Sequence, residues 1–247
     1  MFTYDFGYSW SIAYGLAVPL MVAAAVMAVA LWRGWSGWIS AIAALILAWA
    51  LTGLLLINVV WGINKPMDLP TNQFLTSGRG RVLDVGAGSG RAAVGVLLAR
   101  PGTVVTGVDL YRGYMGIEDN TPERFMRNAD AAGAARRADA VRGDARNLPF
   151  DDATFDAAVS SYAIDHIPGD GKQQALNEVA RVLKPKGQFL LLIVNVDWMV
   201  LVFSPPLAHH PRQDPARWRA MLERAGFRIE EEGTEPATRY WLVRKQE

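Results

Sequence analysis

Charge is distributed very unevenly along this 247-residue chain. Residues 1–62 carry only Asp5 and Arg33, and the remaining 24 Lys and Arg and 23 Asp and Glu fall in residues 63–247. Six of the nine tryptophans sit in the uncharged part, at 10, 32, 35, 38, 49 and 61. Such a split argues against one water-soluble domain. Ile12 to Trp32 is an uncharged apolar run of 21 residues, about 30 Å long as a helix and long enough to cross a bilayer core. Arg33-Gly34-Trp35-Ser36-Gly37 interrupts it, and a second apolar run follows from Trp38 to about Trp61. The pattern predicts a transmembrane helical hairpin over residues 1–64, with spans at about 12–32 and 38–61.

Several details fit that reading. Tyr8, Trp10, Tyr14 and Trp61 fall at one membrane face, and Trp32, Trp35 and Trp38 at the other, where amphipathic rings favour the headgroups. Alanines at 23, 24, 25, 28, 41, 43, 44 and 48 would let the helices approach closely, and Pro19 would kink the first. A signal peptide is not expected, because no Lys or Arg precedes the run and a second equal run follows. Lys65, Arg79 and Arg81 outnumber Arg33, so the positive-inside rule places the C-terminal part in the cytoplasm. The chain is thus expected to be an integral membrane protein, with the lipid bilayer as a partner and pairing of copies through the hairpin as an option. A net charge of +1 without a basic tract argues against nucleic-acid binding. Zero cysteine excludes disulfides, thiolate metal sites and a Cys nucleophile.

Residues 65–78, with Pro66 and Pro70, break any helix leaving the membrane and read as a linker. From 79 to 247 short β-branched runs alternate with helical ones. Strands are predicted at 81–85, 103–109, 138–142, 155–160, 188–195, 227–231 and 239–244, and helices at 90–99, 122–132, 172–183 and 215–225. Thr121 and Asp214 read as N-caps, each followed by proline at the first helical position. The alternation means an α/β doubly wound sheet, closed by an antiparallel hairpin of the last two strands.

The chemistry concentrates after three successive strands. Val82-Leu83-Asp84-Val85-Gly86-Ala87-Gly88-Ser89-Gly90-Arg91 runs from a strand through a glycine turn into a helix, where positive φ and free amides favour a close ligand. The third glycine comes one residue too early for the dinucleotide fingerprint, and Arg91 stands where that fingerprint wants glycine. Asp84 would repel a pyrophosphate and attract an amino group, so the ligand is expected to be a zwitterion or cation. Asp109 ends the second strand, where a carboxylate can accept from ribose hydroxyls. Asp144 follows the third, placed to hold an adenine amino group between Leu110 and Ala145.

These residues resemble the class I S-adenosylmethionine-dependent methyltransferases, especially the small-molecule group that includes ubiquinone and menaquinone enzymes. The resemblance rests on Asp84 to Gly90, on the Asp109 strand end, on Gly143-Asp144-Ala145-Arg146-Asn147-Leu148-Pro149-Phe150, on Phe155 to Ser161 and on Leu183 to Gln188. It covers about 75–245. It implies a Rossmann-like seven-stranded sheet with one antiparallel strand over a methyltransferase domain at 79–247. It implies S-adenosyl-L-methionine held by Asp84, Gly86, Ala87, Gly88, Gly90, Asp109, Leu110, Gly143, Asp144, Ala145 and Ser160. The segment from Tyr111 to Asn120 is longer than the usual turn and could supply a lid or acceptor contacts.

Asp165 and His166, after the fourth strand, are the residues expected to serve as a base if the acceptor must lose a proton. Tyr111, Tyr114, Tyr162, Trp198, His209 and His210 are expected to surround the acceptor. The apolar stretch from Trp198 to Phe203 reads as an extension of the fifth strand, as a pocket wall, or as a segment dipping into the headgroups. Adjacent histidines in extended chain point apart, and no third ligand has clear spacing, so no metal is expected at His209-His210. The combined expectation is methyl transfer to a lipophilic, membrane-partitioned small molecule: a lipid, a quinone-like molecule or an apolar thiol. A silent cofactor-binding scaffold, a soluble acceptor with the hairpin used for assembly, and a nicotinamide oxidoreductase are the alternatives.

Overall fold

A computed structural model describes residues 3–113, 118–204 and 210–247; Tyr114 and His209 of the expected acceptor pocket lie outside them. The N-terminal part is a pair of antiparallel helices. A short helix α1 (Trp10–Tyr14) is followed after a break by α2 (Ala17–Arg33). The break has a simple cause: Pro19 has no N–H to return to the Gly15 carbonyl, so the ladder fails one turn before the proline. Gly34 ends α2 at φ 63°, a left-handed cap. After it α3 (Gly37–Leu55) runs back and widens into a π-turn at Leu56–Val60. Ala23 and Ala30 of α2 and Ala43, Ala50 and Gly53 of α3 are buried. The alanines recur every seven residues on each helix, the spacing of a helix–helix seam. Alanines 24, 25, 28, 41, 44 and 48 face outward instead.

Residues 65–78 pack on the following domain rather than leaving it free. Phe74 is fully buried, and a side chain at Gly95 would strike the Met67 carbonyl. The domain then alternates β1 (Arg79–Val85), α4 (Arg91–Ala99), β2 (Gly102–Asp109), α5 (Pro122–Ala131), β3 (Ala138–Arg142), β4 (Phe155–Ser161), α6 (Gly171–Val182), β5 (Leu183–Val194), α7 (Trp198–Phe203), α8 (Pro215–Arg224), β6 (Phe227–Glu235) and β7 (Thr238–Lys245). The sheet order is β3-β2-β1-β4-β5-β7-β6, and β7 runs antiparallel to both its neighbours. This is the expected seven-stranded Rossmann-like sheet with one reversed strand. Successive residues of β1 face opposite sides. Leu83 and Val85 join Leu191, Trp218 and Trp241 in one core layer, while Val82 joins Val96, Val105 and Phe125 in the other. The Thr121 hydroxyl accepts from Arg124 N and the Asp214 carboxylate from Ala216 N, so both predicted caps form.

One expected segment differs in kind. Trp198–Phe203 does not extend β5: it is a helix, capped by the Asp197 carboxylate on Val200 N. Only Val200 of it is buried. Its outer side meets the hairpin, where Trp49 Nε1 donates to the Val202 carbonyl at 2.8 Å and Gly53 faces Phe203. The Arg91 guanidinium fastens the other end, donating to the carbonyls of Lys65, Trp61 and Gly62 at 3.0–3.3 Å. The hairpin is therefore tied to the helix behind the glycine turn and to the helix after β5. The extreme N-terminal segment also docks on the domain. Buried Asn128 of α5 donates to the carbonyls of Asp5 and Ser89 and accepts from Asp5 N.

Candidate active site

The parallel strands end together at one edge of the sheet, where ligands of open α/β sheets bind. There Gly86, Gly88 and Gly90 all take positive φ, at 72°, 51° and 86°. Gly86 is the most constrained: a Cβ on it would lie 2.1 Å from Cβ of Ala163. The Gly86 and Ala87 amides both donate to the Val108 carbonyl, drawing the turn against β2. Asp109 secures it further. One carboxylate oxygen accepts from Gly88 N at 3.0 Å, and the other from Tyr111 N at 2.6 Å and Asn120 Nδ2 at 3.2 Å.

Asp84 is 1% exposed. Its Oδ2 accepts from Ala93 N at 2.9 Å, and its Oδ1 is buried without a partner. Burial pushes its pKa up to about 7; the Ala93 amide opposes the rise and the Asp109 charge adds to it. Ser89 Oγ, Tyr111 Oη and Asn120 Oδ1 are also buried and unpaired. These atoms belong to the turn and to the chain beside its strand ends. A cradle of positive-φ glycines with an unsatisfied buried carboxylate suits a ligand that brings a cationic amino group and hydroxyls.

The other expected cofactor residues occupy the adjoining strand ends. Leu110 is 39% exposed, and Ala145 packs against the core. Gly143 donates to the Asp109 carbonyl, and a side chain there would strike Val108 and Pro149. Asp144 is gripped by Arg146, Nη2 to Oδ2 at 2.6 Å. That hydrogen bond holds the carboxyl below the usual range, so it stays an acceptor. Ser160 Oγ donates to the Val85 carbonyl at 2.8 Å, pinning β4 to β1 beneath the turn. Asn120 and Arg91 were not anticipated. Asn120 bonds Asp109, and its position directly before the Thr121 cap was the available signal.

Beyond β4 the chain turns sharply at Tyr162, φ 54°, into a single turn of 3-10 helix at Ile164–His166. The Tyr162 hydroxyl is bound to Thr238 Oγ1 at 2.5 Å, which fixes the ring against β7. Asp165 is buried. Its Oδ2 accepts from Val194 N at 3.1 Å and lies 3.5 Å from His210 Nε2. The His166 and His210 rings meet edge to face with centroids 4.7 Å apart. Burial lowers the pKa of His166, partly offset by Asp165. Three expected site residues thus come together from two distant stretches of chain. Trp198 does not join them: it is 66% exposed on α7. Tyr111 is buried at the end of β2, with the Arg142 guanidinium over its ring at 5.7 Å.

Comparison with known proteins agrees with this geometry. Residues 82–187 match the family described as a methyltransferase domain. The chain is 39% identical over 112 residues to a ubiquinone/menaquinone biosynthesis C-methyltransferase, UbiE, from Cereibacter sphaeroides, covering 45% of this chain and 41% of that protein. It is 28% identical over 154 residues to an uncharacterized Haemophilus influenzae protein, covering 60% and 58%. The chain spans about half the length of these curated relatives. A solved structure of an S-adenosylmethionine-dependent methyltransferase from Methanosarcina mazei superposes with a TM-score of 0.55 at 20% identity, over 73% of this chain and 99% of that one. That likeness establishes the fold. The matched segment begins in β1 and ends in β5, so it contains the glycine turn and the ends of the first four strands. A methyltransferase domain implies S-adenosylmethionine as cofactor, and the unpaired buried Asp84 oxygen is consistent with its amino group.

Proposed function

We propose that the chain is a membrane-anchored methyltransferase that moves the methyl group of S-adenosylmethionine to a lipophilic acceptor drawn from the bilayer. When bound, the sulfonium supplies an activated methyl carbon. Asp84 would hold the cofactor's ammonium, Asp109 its ribose hydroxyls and Asp144 its adenine amino group, with Gly86, Gly88 and Gly90 admitting it to the turn. Positioning then accounts for much of the rate, because the chain need only hold two reactants in line.

The observation that carries the acceptor class is the seat of α7. This helix leaves β5 at the edge where the acceptor must lie, and it meets α3 through the Trp49–Val202 hydrogen bond. The hairpin itself presents Met21, Leu31, Trp32, Trp38 and Leu45, each more than 60% exposed. Trp10–Arg33 and Gly37–Val60 are each long and apolar enough to cross a membrane. Apolar surface of this extent needs a cover, and lipid provides one. A relative described as a quinone C-methyltransferase supports an apolar acceptor.

The full chain in detergent, given labelled S-adenosylmethionine, is offered a membrane lipid extract and a panel of quinols, small thiols and amines. Label in an organic-soluble product, identified by mass spectrometry, is the expected result. Efficient transfer to a water-soluble acceptor, with the lipid extract and quinols inert, would sink the lipophilic reading. The full chain is required, because Asp5 and the hairpin both hold the domain.

A further inference from the structure

We infer that Asp165, His166 and His210 form a binding site for a divalent transition metal, with Zn2+ as its natural probe, on the acceptor side of the glycine turn. Their ligating atoms all lie within 4.8 Å of one another. Two of the three side chains are sealed from solvent: Asp165 is 0% and His210 2% exposed.

The hydrogen-bond pattern around them is that of a ligand set. His210 Nδ1 lies 3.1 Å from the Pro211 carbonyl, which can only accept, so Nδ1 carries a proton, and in the metal-binding, neutral form of the ring Nε2 is a lone pair. That lone pair faces Asp165 Oδ2 at 3.5 Å, acceptor against acceptor, and Nε2 has no hydrogen-bond partner. Asp165 Oδ1 is likewise buried and unpaired. Two buried acceptors in apposition call for a cation between them. Their spacing suits one: ligands about 2.0–2.2 Å from a tetrahedral ion stand roughly 3.3–3.5 Å apart. The outer shell is present as well. The Pro211 carbonyl orients the His210 ring, and Val194 N donates to the Asp165 carboxylate, as partners of metal ligands commonly do. Two imidazoles and one carboxylate suit Zn2+ or Fe2+ rather than Mg2+ or Ca2+, and leave a coordination position open.

The open position lies beyond the end of β4, near the acceptor. Ala163, two residues before Asp165, touches the glycine turn at Gly86. Resting on the proposed methyl transfer, the metal would take the acceptor's hydroxyl oxygen as a further ligand. That would lower the hydroxyl's pKa so that its proton passes to water, and would aim the oxyanion at the methyl carbon, whose bond to sulfur breaks as the new O–C bond forms.

The test needs no catalysis. The full chain in detergent, stripped with chelator, is titrated with Zn2+ by calorimetry and with Co2+ by visible absorption. One equivalent of Zn2+ bound and an intense tetrahedral Co2+ band are expected. His210→Ala, His166→Ala and Asp165→Asn should each weaken Zn2+ binding at least tenfold. Asp84→Ala should keep it while losing S-adenosylmethionine, which separates failure of the metal site from failure of the cofactor reading. Absence of stoichiometric Zn2+ binding and of the Co2+ band in the unaltered chain would overturn the site without recourse to any variant. So would Zn2+ binding that all three substitutions leave unchanged, or a protonated His210 paired to Asp165 in the metal-free and Zn2+-treated chain alike.

Discussion

Asp84→Asn is expected to make the cofactor-free protein more stable and its affinity for S-adenosylmethionine about 100-fold weaker. Both effects follow from one buried oxygen. The carboxylate has a partner for Oδ2 in Ala93 N and none for Oδ1, and burial raises its pKa to about 7. Between about 3.8, its value in the unfolded chain, and 7, the folded chain retains a proton that the unfolded chain has released. Folding stability therefore falls as pH rises through that window and levels off above it. The amide has the same shape, keeps the bond from Ala93 and carries no charge, so at pH 8 it should gain roughly 1–3 kcal/mol. The lost charge is what the cofactor's ammonium would use. In the unaltered protein, binding below pH 7 must expel the Asp84 proton. Affinity should then weaken about tenfold per pH unit as pH falls, with close to one proton released per cofactor bound at pH 6. The variant should show a flat profile and no release. Calorimetry in buffers of different ionisation enthalpy reads both quantities, and equal affinity in the two proteins would remove Asp84 from the site.

Gly86→Ala is expected to be the most damaging single-methyl change in the turn. The residue has φ 72°, and the new Cβ would lie 2.1 Å from that of Ala163. Backbone strain and overlap together should cost about 2–4 kcal/mol. Because Ala163 leads into Asp165 and His166, relief of the overlap would push the acceptor side away from the cofactor, and transfer should be lost even in protein that remains folded. Adding Ala163→Gly removes the overlap and leaves the dihedral strain. The double variant should recover at least about 1 kcal/mol relative to additivity in denaturant melts. Strict additivity would mean that the two segments do not press on each other in solution.

The sheet was legible because its strands are buried runs with sharp punctuation, and Ala138–Arg142 was bounded to the residue. β5 was not: the expected helix ran to 183 and the expected strand began at 188, yet the chain is already extended at Leu183, which pairs with Phe155. Trp198–Phe203 misled because six apolar residues have no period of their own, and the Asp197 cap was the local cue to a helix. In the candidate site, Asp84, Asp109 and Asp144 were legible because each stands at or just after the end of its own strand. The approach of His210 to Asp165 was not, since the two residues lie 45 positions apart and meet only through tertiary packing. Arg91 looked like a departure from a nucleotide motif, and its clasp on Trp61, Gly62 and Lys65 gives it a structural reason. Of the aromatic residues read as a membrane face, Trp10 is exposed; the docking of the chain just before them, with Phe6 buried and Asp5 bound to Asn128, had no signal in the sequence.

The proposed arrangement is a methyl-transfer domain on one side of a bilayer that its hairpin crosses twice. The chain contains no cysteine, so single thiols can report sidedness without background. Ser36 lies between the two long helices and Ser77 just before β1, and both are exposed. In sealed vesicles of known orientation, Ser36→Cys and Ser77→Cys should react with a membrane-impermeant thiol reagent from opposite faces, Ser77→Cys from the cytoplasmic one. Labelling of both from the same face would contradict a hairpin that spans the bilayer.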